Sequence, residues 1–555
     1  MILPAFQSLL LSFFCAVPAL AETIQARSTG VPTARTRNGT YGGRYIPEWD
    51  QDVFLGMPYA QPPLGDLRFR WPRPLNASFS GVRDASQYGY SCMQYAGEPW
   101  GNFNMSEDCL NINVVRPHGA PKQPLPILVW IYGGGLYTGS TADPRYNLSG
   151  VVKVSQDMGQ PIIAVDMNYR LNMYGFLQTQ ELFLEGSSNA GLLDQRMALQ
   201  WVQDNIAAFG GDPRRVVIWG ESAGAQSIAF QLLSFNGTND GLYRGAIMES
   251  GGPTGTQLHE LGYYSTPFEN LTRAVGCWTA EDQLACLRDL SQEALYAGRP
   301  SLTWNPLVDG NFLRGFPSQL LVDNNFKKVP LLIGANSDEG TSFNPSPANN
   351  ASQIFQSFYS WRQYDLSPPT IWKLLELYPN DPCNEPPYYI TNCTIFPDRD
   401  LQFRRAAAIG GDLVMIAGRR KTAEFYTRAG LDVYSYRFDT RLYNQSAELG
   451  VPHFDNTYFS FQNITGWLGP SPKYDADMRL ANAVGKAYVR FVYNLDPNPM
   501  TNSPDELLPH WPKYDIHHPT NMVPNATWPH VEADTFRKEG IDFINTQYVS
   551  RELLA

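Results

Sequence analysis

Ser222 stands at the centre of Gly220-Glu221-Ser222-Ala223-Gly224, inside the stretch VVIWGESAGAQSIAFQLLS. A serine hydroxyl attacks a carbonyl only when a base takes its proton, and that base needs an oriented acid partner. The chemistry indicated is acyl transfer, with a carboxylate and then a histidine following the serine, the chain order that goes with a G-x-S-x-G elbow. The histidines after Ser222 are His259, His453, His510, His517, His518 and His530. His517 and His518 lie in YDIHHPT, which reads as a surface turn, and His510 and His530 lie in similarly Pro-rich text. His453, in GVPHFDNTYFSF after the strand-like DVYSYRF, is the best placed, against the competing reading of an ordinary surface or core histidine. The acid falls at Asp338-Glu339, just past the apolar run Val329-Pro-Leu-Leu-Ile-Gly334, at the strand edge where sites of open α/β sheets collect. The residues alone leave open which of the two carboxylates acts, and Asp338 also suits a turn.

These side chains need a frame. Val216-Val-Ile-Trp219 has the pattern of a buried strand, Gly220 to Gly224 that of a sharp turn, and Ala225 onward that of a helix with Ile228, Leu232 and Leu233 on one side. Small residues at Gly220 and Gly224 fit a turn in which strand and helix cross closely. Two further apolar runs, Leu125 to Tyr132 and Pro161 to Val165, read as parallel strands. The segment LLDQRMALQWVQDNIAAFGGDP repeats apolar residues at helical spacing until Gly210-Gly211 and Pro213 end it. Strand–helix–strand alternation predicts an α/β fold with a large, mostly parallel central sheet flanked by helices, carrying helical and loop insertions. The first of these strands stops at Gly133-Gly134-Gly135. A phosphate loop would need a lysine there, and a dinucleotide fingerprint a different spacing with a ribose-binding acid, so neither fits.

The chain has 555 residues, of which 43% are hydrophobic and 17% charged, with a net charge of −11. That composition is globular, and without a basic cluster it argues against nucleic acid as a partner. MILPAFQSLLLSFFCAVPALA lacks a basic start but ends in Ala19-Leu20-Ala21, so residues 1–21 are expected to be a secretory signal peptide and 22–555 a single domain. A membrane anchor is the competing reading, opposed by the shortness of the run and by Pro18. No other run spans a bilayer, and the charged C-terminal stretch carries no lipid-anchor or retention signal. Of seven cysteines, Cys15 leaves with the signal, and Cys92, Cys109, Cys277, Cys286, Cys383 and Cys393 form three close couples without zinc or redox spacing. Disulfides and an oxidising, extracellular destination are expected. Sequons at Asn38, Asn76, Asn104, Asn147, Asn236, Asn270, Asn350, Asn392, Asn444, Asn463 and Asn525 agree with a secreted glycoprotein.

FLGMPYAQPPLGDLRFRWP, SEDCLNINV, VWIYGGGLYTGS, NAGLLDQRMALQWVQDNIAAFGGDP, GESAG, ANSDEG and GVPH occur in this order. Together they resemble the type-B carboxylesterase, lipase and cholinesterase family of α/β-hydrolases, and most of all its secreted fungal carboxylesterases. The resemblance runs from about residue 40 to 460. It implies Ser222 as nucleophile, Glu339 as acid and His453 as base, an oxyanion hole from the N–H groups of Gly134, Gly135 and Ala223, and Ser250 of ESGGP as support for the acid–histidine pair. It also implies a buried Arg68–Glu107 ion pair and the disulfides Cys92–Cys109 and Cys277–Cys286, which leaves Cys383 and Cys393 as the third couple. No metal or organic cofactor is implied; the partner is a small ester. The family's lipases carry a long lid between the first cysteine pair, whereas CMQYAGEPWGNFNMSEDC is short, and Trp100 does not stand where cholinesterases carry their cation-binding tryptophan. Leu136 stands where an aromatic residue usually follows the glycines. A carboxylesterase is therefore expected, with a lipase or sterol esterase as one alternative and a non-catalytic adhesion protein, which would lack the triad, as another.

Overall fold

The computed structural model describes residues 30–95, 103–119, 121–301, 304–463, 472–500 and 506–555. The expected signal peptide and Trp100 lie outside them. Pro32–Ala555 forms one compact unit; of the other, Met1–Val31, only Gly30 and Val31 are described.

A small sheet joins β1 (Thr33–Thr36), β2 (Gly39–Gly42) and, further along the chain, β5 (Val82–Asp84). The large sheet takes the remaining strands. Its first half comprises β3 (Arg44–Ile46), β4 (Gln51–Pro58), β6 (Asn111–Pro117), β7 (Leu125–Ile131) and β8 (Ile163–Met167). Its second half comprises β9 (Gly211–Glu221), β10 (Gly245–Glu249), β11 (Leu331–Asn336), β12 (Val433–Phe438), β13 (Thr520–Val523) and β14 (His530–Ala533). They lie in the order β14-β13-β12-β11-β10-β9-β7-β8-β6-β4-β3. From β13 to β8 the strands are parallel, and antiparallel strands finish both edges.

Every residue of β7, β8 and β10 is buried, which explains why their text is apolar apart from Asp166 in β8 and Glu249 at the end of β10: a strand covered on both faces has no use for polar alternation. Two helix pairs supply the cover. Ser149–Asp157 packs with Asp475–Asn494, and Ala190–Asn205 packs with Ala223–Gly237. Strand β9 is longer than Val216–Trp219, starting at Gly211, because the chain leaves the preceding helical turn at Gly210 in the left-handed region (φ 88°) and joins the sheet at once. Near its end, Trp219 pairs with Trp130 of β7 at 4.4 Å between rings and stacks on Phe461 at 4.4 Å. This aromatic plug fills the core directly beneath the turn that follows β9.

Disulfides join Cys92 to Cys109, Cys277 to Cys286 and Cys383 to Cys393. The first two are drawn together by one ion pair. Arg68 forks onto Glu107 with bonds of 2.7 and 2.8 Å, and its remaining nitrogen donates to the carbonyls of Leu287, Arg288 and Leu290 at 2.8, 3.0 and 2.7 Å. Both side chains are buried, and burial pushes the Glu107 carboxyl above its usual range despite the guanidinium beside it. Eight of the sequon asparagines are exposed, while Asn38, Asn463 and Asn525 are partly buried; Asn525 donates to the carbonyl of Asp439 at 2.6 Å.

Removing one partner of a buried pair strands the other charge, at a cost of about 3–5 kcal/mol. Arg68→Met is therefore expected to lower the thermal midpoint by several degrees, and adding Glu107→Leu to recover a large part of the loss. Scanning calorimetry on the single and double variants checks this, and equal losses in both would contradict it.

Candidate active site

The turn after β9 is shaped by what cannot fit. A Cβ on Gly224 would stand 2.0 Å from the carbonyl oxygen of Ile131, and one on Gly220 would stand 2.7 Å from the carbonyl carbon of Gly224. Strand and helix cross at backbone contact, and Ser222 between them takes φ 57°, ψ −127°. That conformation costs a residue with a Cβ about 1–3 kcal/mol. It is held by the Ser222 N–H, which donates to the Glu249 carbonyl at 3.0 Å, and by the Ser222 carbonyl, which accepts from the Gln226 N–H at 2.9 Å. The result lifts the hydroxyl out of the sheet edge.

His453 Nε2 lies 2.8 Å from Ser222 Oγ, and its Nδ1 lies 2.7 Å from Glu339 Oε2. Ser222, Glu339 and His453, far apart in the chain, thus meet at the carboxyl ends of the parallel strands. With a carboxylate on Nδ1 the imidazole carries its proton there and turns the Nε2 lone pair toward the serine. The other oxygen of Glu339 accepts from Ser250 Oγ at 2.5 Å and from the Asn336 N–H at 2.7 Å. Asp338, the neighbouring carboxylate, does not reach the imidazole. It accepts the N–H of Val451 at 2.8 Å and that of Tyr388 at 2.9 Å, and so anchors the loop that delivers His453. Burial raises the Asp338 carboxyl to about 7.

Gly134 and Gly135 follow β7 with φ 87° and 64°. Among the described residues neither N–H has a protein acceptor, and Ala223 opens the helix, where N–H groups have no intrahelical partner. Three donors are thereby left beside Ser222. Leu136, also at positive φ (64°), is buried behind them. The remaining histidines are elsewhere: His259 stacks on Tyr263 with ring centres 3.8 Å apart, His510, His517 and His518 are exposed, and His530 stacks on Trp528 at 4.0 Å.

Two carboxylates close to the site had no motif to announce them. Glu221, the variable residue of the elbow, is buried with Oε1 3.2 Å from His453 Nε2, and burial raises its carboxyl to about 8. Glu249, at the end of β10, accepts from Asn456 at 2.9 Å, from Ser460 at 3.3 Å and from Tyr488, and burial raises it to about 7. Burial alone would lower the pKa of His453, but Glu221 and Glu339 outweigh it and hold it above the ordinary value. The cleft over these residues has a volume of about 510 Å³, with Leu136, Phe343, Met415 and Phe454 among its apolar walls and Gln226, Gln257, Asn305 and Arg362 among its polar ones. Among the described residues no group of three or more His, Cys, Asp or Glu side chains is gathered to hold a metal ion, and no helix is long and apolar enough to cross a membrane.

Sheet order, helix cover and the strand–serine–helix turn define an α/β-hydrolase. The profile of the carboxylesterase family matches residues 30–539; the chain belongs to that family, and its class of chemistry is ester hydrolysis. It is 34% identical to lipase 4 of Diutina rugosa over 95% of this chain and 98% of that protein. It is 31% identical to a secreted triacylglycerol lipase of Gibberella zeae over 95% and 92% of the two. The solved structure of Aspergillus niger EstA superposes with a TM-score of 0.83 at 28% identity, covering 95% of this chain and 99% of that one.

An imidazole 2.8 Å from Ser222 Oγ could take the hydroxyl proton only when neutral, so if His453 serves as base its raised pKa is expected to move the acid limb of the kcat/KM profile to higher pH than the ordinary 6.5 of histidine. Glu221 and His453 lie 3.2 Å apart and each shifts the other's protonation, so a proton shared between them and resting on Nε2 would occupy the lone pair that faces Ser222. Glu221→Gln leaves Nε2 without a carboxylate beside it, and the acid limb is expected to move to lower pH. A pH–rate profile that shifts upward in the variant would contradict this.

Proposed function

We propose that this protein is a secreted carboxylesterase that cleaves carboxylic esters through an acyl-enzyme on Ser222. The observation that carries the proposal is the chain of two short contacts, 2.8 Å from Ser222 Oγ to His453 Nε2 and 2.7 Å from Nδ1 to Glu339. His453 takes the hydroxyl proton as Ser222 attacks the ester carbonyl. The oxyanion that forms is held by the N–H groups of Gly134, Gly135 and Ala223, already oriented before substrate arrives. The C–O bond to the alcohol breaks as His453 returns the proton to the leaving oxygen. Water, deprotonated by the same imidazole, then attacks the acyl-enzyme, and the acid departs as Ser222 recovers its proton. Glu339 fixes the tautomer and offsets the imidazolium charge, and Ser250 steadies Glu339. No cofactor takes part.

An adhesion protein with a dead site would have no reason to keep the strained Ser222 conformation together with both contacts. Secretion and glycosylation are supported by the N-terminal apolar run, the exposed sequons, three disulfides and relatives named as secreted lipases. A second reading, a lipase proper, draws on the names of the relatives. The amide and guanidinium groups in the cleft favour the esterase, because a channel for long acyl chains would leave them buried and unpaired.

Purified protein is expected to hydrolyse p-nitrophenyl acetate and butyrate, with Ser222→Ala lowering kcat by about 10⁴-fold or more. Rates measured from acetyl to palmitoyl, with and without an emulsified interface, decide between the readings. Full activity in Ser222→Ala would sink the mechanism, and a sharp rise on palmitoyl esters at an interface would favour the lipase.

A further inference from the structure

The cleft holds two arginines, and they are not equivalent. Arg145 is committed to Asp143, with bonds of 2.6 and 3.0 Å to one carboxylate oxygen. Arg362 has no such partner: among the described residues no carboxylate lies within ion-pair distance of it, and its Nε is buried without a hydrogen-bond acceptor. It sits 5.6 Å over the ring of Phe343, and that ring packs edge-on against His453 at 4.7 Å. Arg362 is also near enough for its charge to oppose protonation of the imidazole. A cation in a half-buried cleft with an unspent donor is costly unless something arrives to pair with it.

The backbone adds a second observation. Arg362 and Gln363 are consecutive residues at φ 54° and 60°, a left-handed pair with no glycine to relieve it. An ordinary surface arginine needs no such conformation; here it breaks a short helical turn and places both residues on the cleft wall. Gln226, and Gln257 bonded to Asn305 at 3.3 Å, provide neutral polar groups in the same lining.

We infer that Arg362 binds a carboxylate carried by the substrate itself, so that the preferred esters are anionic ones with a free acid group remote from the scissile bond. This rests on the proposed esterase reading and names its substrate class. The free acid pairs with the guanidinium while the ester carbonyl reaches the donors beside Ser222. Bond making and breaking are unchanged, and the remote charge supplies positioning. Arg362 is a specificity residue and takes no part in proton transfer.

The test compares charged esters with amide isosteres of equal size. Monoethyl adipate against ethyl adipamate places the charge on the acyl side; 5-butyryloxypentanoate against its amide places it on the alcohol side. The expected result is a kcat/KM ratio, charged over amide, well above one for one of the two pairs, identifying the side that faces Arg362. In Arg362→Gln that ratio is expected to fall by about 10- to 100-fold, as loss of a hydrogen bond to a charged group requires, with most of the change in KM. Arg362→Lys is expected to restore part of it, and added salt to weaken it in the native protein. The inference is overturned if the native protein hydrolyses the amides as well as the acids in both pairs, or if Arg362→Gln lowers both members equally. If none of the four esters is hydrolysed, the esterase reading itself falls.

Discussion

A carboxylate sealed from water must be satisfied by protein alone, and Glu339 is the point at which this fold meets that demand. Its side chain is fully buried, and it accepts from Ser250, from the Asn336 N–H and from His453. Each donor comes from a different element: the end of β10, the end of β11 and the loop after β12. The parallel register of those strands brings their carboxyl ends level, so three donors converge on one oxygen pair. The imidazole is oriented as a by-product of solving a solvation problem.

The serine is placed by a different constraint. Its conformation is forced by the approach of helix to strand at Gly220 and Gly224 and locked by the carbonyl of Glu249 in the neighbouring strand. Strain at Ser222 is offset by packing elsewhere, including the stacked Trp219 and Phe461 beneath it, with Trp130 edge-on to both. Two rigid constructions, one electrostatic and one steric, therefore meet across 2.8 Å.

What could be read from the sequence follows from how local each feature is. β7, the start of β8 and the Val216–Trp219 part of β9 were legible because burial on both faces writes itself as apolar runs, the helices beside them by the spacing of their apolar residues, and the elbow because its glycines lie within five positions. The choice between Asp338 and Glu339 was not legible from the residues: the two adjacent carboxylates differ only in the partners the fold gives them, Val451 and Tyr388 for one and His453 for the other, and only family resemblance distinguished them. The family and the α/β-hydrolase fold agree with that resemblance. Glu221, Glu249 and Arg362 escaped notice because their significance lies in contacts across long separations, such as Glu249 with Tyr488 or Glu221 with His453. A charged residue in text looks solvated until the fold buries it.

Asp338 spends one oxygen on the Val451 N–H and the other on the Tyr388 N–H, while its own N–H reaches the Val451 carbonyl at 3.0 Å. The loop that carries His453 and the segment closed by Cys383–Cys393 are thus fastened to the same side chain. In mechanical terms they form one lever. A displacement of the disulfide loop is passed through Asp338 to Val451, two residues before His453, and so bears on the 2.8 Å contact between His453 and Ser222.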